Sequence, residues 1–166
     1  MPNARAELVP APWGGSAEEL TAWAERLAVS QAMGLRCQSM APGRAVVEMD
    51  ASEWPLNPSG AVHGGLVLAW ADHCFALAAM PALPPGSIPA TASLSAQFLR
   101  PALPPLTFDT RVDRTGRTLA FLTVDVYEGG GRLAARVSGT MSVDGASRPM
   151  TARSTIVHDQ ASAELA

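Results

Sequence analysis

The spacing of apolar residues along this chain changes once, from a helical period in the first half to a twofold period in the second. Leu20, Trp23, Ala24, Leu27 and Ala28 recur every three or four positions, which predicts an amphipathic helix over 17–33. Ser16 with Glu19 forms a capping box at its start, and Gly34 suits its end. "RAVVEMD" (44–50) alternates as a short strand, and Asn57, Pro58, Ser59 and Gly60 have loop chemistry. A second helix, from about Gly64 to Met80, is apolar on nearly every side and ends where Pro81 opens a proline-rich connection. From residue 91 the pattern is twofold. Ala92, Leu94, Ala96 and Phe98 share a face, as do Leu106, Phe108 and Val112, then Ala120, Leu122, Val124 and Val126, then Leu133, Ala135, Val137, Met141 and Val143. Short turns between these runs predict an antiparallel meander, and one sheet against one long apolar helix makes an α+β fold.

Length then limits the organisation. With 166 residues the chain suits a single domain, read as an N-terminal extension and flanking helix (1–34), a main domain (35–143) and a C-terminal tail (144–166) carrying at most a short strand near Ser154–His158. A formal charge of −3 argues against nucleic acid as a partner. Cys37 and Cys74 form no C-x-x-C pair and suit a reducing compartment as core residues. The opening "MPNARAELVPAPWGG" lacks the apolar stretch of a secretory signal. The longest apolar run, Leu66–Met80, is interrupted by Asp72 and His73 and is shorter than the roughly 20 residues of a membrane span. The expectation is a soluble cytoplasmic protein with no membrane partner.

Asp72 is the residue that composition does not explain. On its helical face lie Ala69 and Ala76, three and four positions away, and Gly65 and Ala79, seven away, with Leu68 and Phe75 beside them, so the carboxylate sits in a stripe of small side chains that lets a backbone or ligand approach. A buried carboxylate costs several kcal/mol unless paired or neutralised, so a purely structural Asp72 must find a partner. Upstream, Gly64 and Gly65 bring backbone N–H groups to a helix N-terminus, where donors and dipole favour the developing negative charge of an acyl-transfer oxyanion. Eight residues separate Gly64 from Asp72, about 12 Å along a helix axis, whereas an oxyanion donor and a general base must both lie about 3 Å from one reacting centre. If both act, two chains must set these helices side by side and antiparallel.

The pattern N-x-x-G-x-x-H-G-G with an Asp nine residues after the His, here Asn57, Gly60, His63, Gly64, Gly65 and Asp72, resembles the hotdog-fold acyl-CoA thioesterases of the PaaI-like branch. "SAQFLRPA" (95–102) and "GRTLAFLTVDVY" (116–127) resemble that family's strand after the helix and its long central strand, and the likeness spans about 35–143. It implies a hotdog fold, a long helix wrapped by an antiparallel sheet. Subunits would pair through their sheets, with a homodimer as the minimal active unit and a homotetramer as the expected particle. It implies Asp72 as general base or nucleophile, the Gly64 N–H as carbonyl donor, Asn57 near the thioester or water from the opposite subunit, and His63 as the residue shaping the turn. Thr91 falls on a hydroxyl that assists the water in some relatives, with Ser93 and Ser95 as alternatives. Another branch carries Glu on this helix, which this chain lacks.

The activity implied is hydrolysis of an acyl-CoA thioester, with an aryl-acetyl or medium-chain fatty acyl group. No metal or cofactor is needed, coenzyme A being part of the substrate. Gly65 joins Gly64 at the turn, and Arg100 and Arg117, with Arg114 and Arg136, are candidates for the coenzyme A phosphates. Trp23 or Met33 of the first helix is a candidate for the acyl end of the pocket. Three other readings compete: a noncatalytic acyl-CoA or small-ligand binding protein of the same fold, a hydratase or dehydratase pairing His73 with Asp72, and a metal site from His63, Asp72, His73 and His158. Adjacent helical residues point about 100° apart, which weakens the second, and the histidine spacing suits no usual metal site. His73 reads as structural, bonded across a subunit interface.

Overall fold

A computed structural model describes residues 9–50 and 56–143. The tail strand expected near 154–158 lies outside the described residues. The first helical stretch is two helices, α1 (Ala17–Arg26) and α2 (Ala28–Ala32), because Leu27 adopts an extended conformation with ψ 131. The capping box forms as expected, and Gly34 ends the second piece with a φ of 66. Strands β1 (Leu35–Ala41) and β2 (Arg44–Met49) follow, then α3 (Gly64–Ala79) with a 3-10 turn at Met80–Ala82. β3 (Ala90–Phe98), β4 (Leu106–Thr115), β5 (Leu119–Tyr127) and β6 (Leu133–Ser142) complete one antiparallel sheet.

Its order, β1-β2-β4-β5-β6-β3, corrects the expected meander. Consecutive strands are neighbours only within β1–β2 and within β4–β5–β6. β3 crosses to the far edge and pairs with β6, the proline-rich segment after it returning the chain to β4. β1 escaped the periodicity because a register shift between Cys37 and Ser39 breaks its alternation, so that Leu35 and Met40 are both buried.

The inner face of the sheet carries Val47, Met49, Leu106, Phe108, Leu122, Val124, Val126, Val137 and Met141, all buried, and α3 lies across it with Trp70, Cys74, Phe75 and Leu77. The rings of Trp70 and Phe108 meet edge-on at 6.3 Å. Together with the 3-10 turn, α3 makes a 19-residue helix long and apolar enough, by length and composition alone, to cross a membrane; half of it is buried against this sheet. Leu20, Trp23 and Ala24 of α1 belong to the same buried cluster, so Trp23 is core and not an open pocket wall.

Gly139 marks the closest approach of helix and sheet. A Cβ there would overlap the Phe75 ring and stand 2.8 Å from the Ser93 carbonyl oxygen. Gly139→Ala is therefore expected to destabilise the fold by about 1–3 kcal/mol, as overpacked cores do, read as a lower urea midpoint at unchanged m-value.

The two sheet edges differ. α1 packs on β1, whereas β3 pairs only with β6 among the described residues and leaves its other edge free.

Candidate active site

The loop before α3 is built by Asn57. Its Oδ1 accepts the N–H groups of Ser59 at 2.9 Å and Ala61 at 3.1 Å, and its backbone N–H donates to the Ala61 carbonyl at 2.8 Å. Gly60, at φ 75, supplies the left-handed residue that the turn requires. His63 then caps α3: its Nδ1 accepts the Gly65 N–H at 3.0 Å, and its carbonyl accepts those of Leu66 and Val67 at 2.9 and 3.2 Å. Among the described residues nothing accepts the Gly64 N–H. The capping thus separates the two glycines: Gly65 is satisfied, and Gly64 keeps a free donor at the positive end of a 16-residue helix.

Asp72 lies two turns further on, half-buried on a stripe with exposed Gly65 and Ala69 and half-buried Ala76; Ala79, also expected there, is buried. Its partner is Thr91, whose Oγ1 donates to Asp72 Oδ1 at 2.5 Å. Strict alternation would put Ala92 on this face and Thr91 on the other. The ladder instead pairs Thr91 with Met141 and Ser93 with Thr140, leaving Ala92 as an extra residue. This bulge turns Thr91 towards the helix while Leu94, Ala96 and Phe98 keep that face. Ser93, the other candidate, hydrogen-bonds Thr140 at 2.8 Å, and Ser95 pairs with Ser138.

His73 has a partner within its own chain, its Nε2 standing 2.8 Å from the buried Ser30 Oγ on α2. The break at Leu27 creates the separate helix that carries Ser30. Burial pushes the imidazole down from 6.5 to about 4, against the opposing pull of the Asp72 carboxylate. The unfolded chain therefore binds this proton more readily, so the stabilisation from His73 is present above pH 6.5 and lost as pH falls towards 4. The full effect is on the order of 3 kcal/mol. Thermal unfolding followed from pH 7 to 4 should show a fall in Tm that His73→Gln flattens.

Beside Gly64 opens a groove of about 340 Å³, lined by Asn57, Ala61, Val62, Gly64 and residues 98–102. It gathers Asn57, Gly64 and Arg100. Arg117 is exposed in the β4–β5 turn, and the register from Leu119 through Ser142 to Ala90 sets that turn near the start of β3, at the opposite end from Arg100. Arg136 is committed to Asp125, 2.6 Å from Nε to Oδ1, and that bond chiefly holds the Asp125 carboxyl below its usual range. Cys74 is fully buried, its thiol pushed up to about 12 by burial. Among the described residues no three His, Cys, Asp or Glu side chains are grouped to hold a metal ion, and His158 lies outside them. Phe98, which sequence reasoning assigned only to a buried face, is half exposed, and a Cβ on Gly64 would stand 3.0 Å from its Cζ. Its place three residues before a proline-rich return gave no signal of that contact.

Residues 59–135 match the family described as the thioesterase superfamily. The fold also superposes on the E. coli PaaI protein of the phenylacetic acid degradation operon with a TM-score of 0.67, at 27% identity over 75% of this chain and 89% of that one. Over residues 59–135, a little under half of its length, the chain is similar to the thioesterase superfamily. Its architecture is the hotdog fold of that superfamily. The matched range holds His63, Gly64, Asp72 and Thr91 and stops two residues short of Asn57. A candidate esterase of Thermoplasma volcanium is 38% identical over 80 residues, 47% of this chain and 59% of that protein, so the match spans little more than half of that relative. The Streptococcus mutans protein smu.793, solved bound to acetyl CoA, is similar with a TM-score of 0.61, at 25% identity over 67% of this chain and 89% of that one.

Proposed function

We propose that this protein hydrolyses acyl-CoA thioesters, at a site completed by a second copy of the chain. The observation that carries the reading is the pairing of a free Gly64 N–H with an Asp72–Thr91 hydrogen bond on the same helix, two turns apart. Thr91 lies near the start of β3 beside Asp72, and Phe98 ends β3 against Gly64. Antiparallel pairing of β3 with the β3 of a second copy would bring the Asp72 end of one chain to the Gly64 end of the other. Several features favour it: β3 is nine residues long with a free edge, Phe98 ends it half exposed, and Ile88 and Leu99, also half exposed, flank it. An open edge of this kind is a template for strand addition.

In this reading the thioester oxygen accepts the Gly64 N–H, which stabilises the charge that develops as water attacks. Asp72 of the facing chain takes the water proton. Thr91 donates to Oδ1 and so leaves Oδ2 for that task. The tetrahedral intermediate expels the coenzyme A thiolate, a good leaving group, and releases the free acid. The same pairing carries Arg117 of one chain towards the Arg100 end of the other, where both could meet phosphate.

The test is thiol release from a panel of aryl-acetyl and medium-chain fatty acyl-CoA thioesters, with the particle size measured by sedimentation. Turnover by a dimer or a dimer of dimers supports the reading. Tight binding of the same thioesters without thiol release would replace it by the noncatalytic binding protein.

A further inference from the structure

We infer that Ser30 and His73 are positioning residues for Asp72: a second hydroxyl, delivered from α2, fixes the turn of α3 that carries the carboxylate. The inference rests on the thioester reading and adds the residues that hold its base in place. Consecutive residues of α3 are tied to opposite flanks. Asp72 Oδ1 accepts the Thr91 hydroxyl at 2.5 Å from β3, one edge of the sheet, and His73 Nε2 stands 2.8 Å from the Ser30 Oγ on α2, which packs with β1 at the other edge. The two side chains leave the helix about 100° apart, so together they resist rotation of α3 about its axis in both directions.

Each anchor depends on a break in regular structure. The extra Ala92 in β3 turns Thr91 towards the helix. Leu27, extended at φ −64 and ψ 131, ends α1 and redirects the chain into α2, five residues long, where Ser30 is buried. A helix so short has little stability of its own, and alanine would serve it better than serine. The partner explains the serine: a buried hydroxyl needs a hydrogen bond, and His73 provides it. Burial lowers the imidazole to about 4, so at neutral pH the pair is uncharged and sets no cation beside the Asp72 carboxylate. Elsewhere α3 is held to the sheet by apolar side chains, among them Val67, Trp70, Cys74, Phe75 and Leu77. Apolar burial has no preferred direction, whereas a general base must keep its place to within about 0.5 Å and 10–20°. Two irregularities thus bring two hydroxyls to one turn, the turn that carries the base.

Ser30→Ala should lower kcat on acyl-CoA thioesters about tenfold with KM within about twofold, because a misplaced base slows the chemistry and leaves binding intact. It also leaves His73 unpaired, so the thermal midpoint should fall. The double variant Ser30→Ala/His73→Leu separates the two effects. With both polar partners gone stability returns, yet the tie between α2 and α3 is absent and kcat stays about tenfold down. On an Asp72→Asn background neither change should lower the residual rate further, since both act through Asp72. Recovery of kcat along with the thermal midpoint in the double variant, or the same loss on the Asp72→Asn background, would overturn the assignment and leave Ser30 and His73 a structural pair. A readout without turnover is the NMR signal of carboxyl-labelled aspartate, the Asp72 signal being the one lost in Asp72→Asn. It should shift in the double variant, and an unchanged signal would overturn the proposal. A parent that releases no thiol would end the thioesterase reading alone, and the Asp72 signal would still decide this one.

Discussion

Asp72→Asn is expected to lower kcat on acyl-CoA thioesters by about 10²- to 10⁴-fold, the usual contribution of a positioned general base, with the fold retained. The substitution changes little else. Asn has the shape of Asp, and its carbonyl oxygen can still accept the Thr91 hydroxyl that now reaches Asp72 Oδ1 at 2.5 Å. What is lost is the ability to hold a proton. The residue lies half-buried on an open helix face, outside the buried cluster, so core packing is unaffected. Unchanged circular dichroism, thermal midpoint and particle size are therefore part of the expected result. A variant that turns over as fast as the parent would remove Asp72 from the chemistry and leave it as a half-buried partner of Thr91.

Much of this site could be read from residue spacing, and each part that could not has a physical cause. The helix period carried α1 and α3, the stripe around Asp72 and the Gly64 turn, because an unbroken helix converts sequence distance into direction. Strands convert it equally well until a residue is added. Ala92 is such a residue: it moves Thr91 from the outer to the inner face, and only the family resemblance pointed to Thr91 in advance. The shift after Cys37 hid β1 in the same way. Strand order was illegible for another reason: a loop of prolines after Phe98 fits either a tight return to a neighbour or a crossing of the sheet, and long-range pairing with β6 decides between them. His73 with Ser30 and Phe98 with Gly64 are contacts between elements distant in sequence, for which a single chain of letters holds no local signal.

Gly64→Pro should lower kcat by about 10²- to 10³-fold, as removal of one oxyanion donor does, and it isolates that donor unusually well. Proline suits the first position of a helix, where its missing N–H breaks no helical bond. The residue before a proline must be extended, and His63 already is, at φ −62 and ψ 132. The added ring meets the Phe98 ring, 3.0 Å from an ideal Cβ, at the rotatable end of a half-exposed side chain that can yield. Gly64→Ala makes the same contact and keeps the N–H, so activity retained by Ala and lost by Pro assigns the effect to the donor. Two inactive proteins then test the second copy. When Gly64→Pro and Asp72→Asn chains are unfolded together and refolded, half of the dimers are mixed, and each mixed dimer joins an intact Gly64 to an intact Asp72 in one of its two sites. Recovery of about a quarter of parent activity is the expected result for a site shared across a symmetric dimer. A site held within one chain gives none, because every chain in the mixture then lacks either its donor or its base.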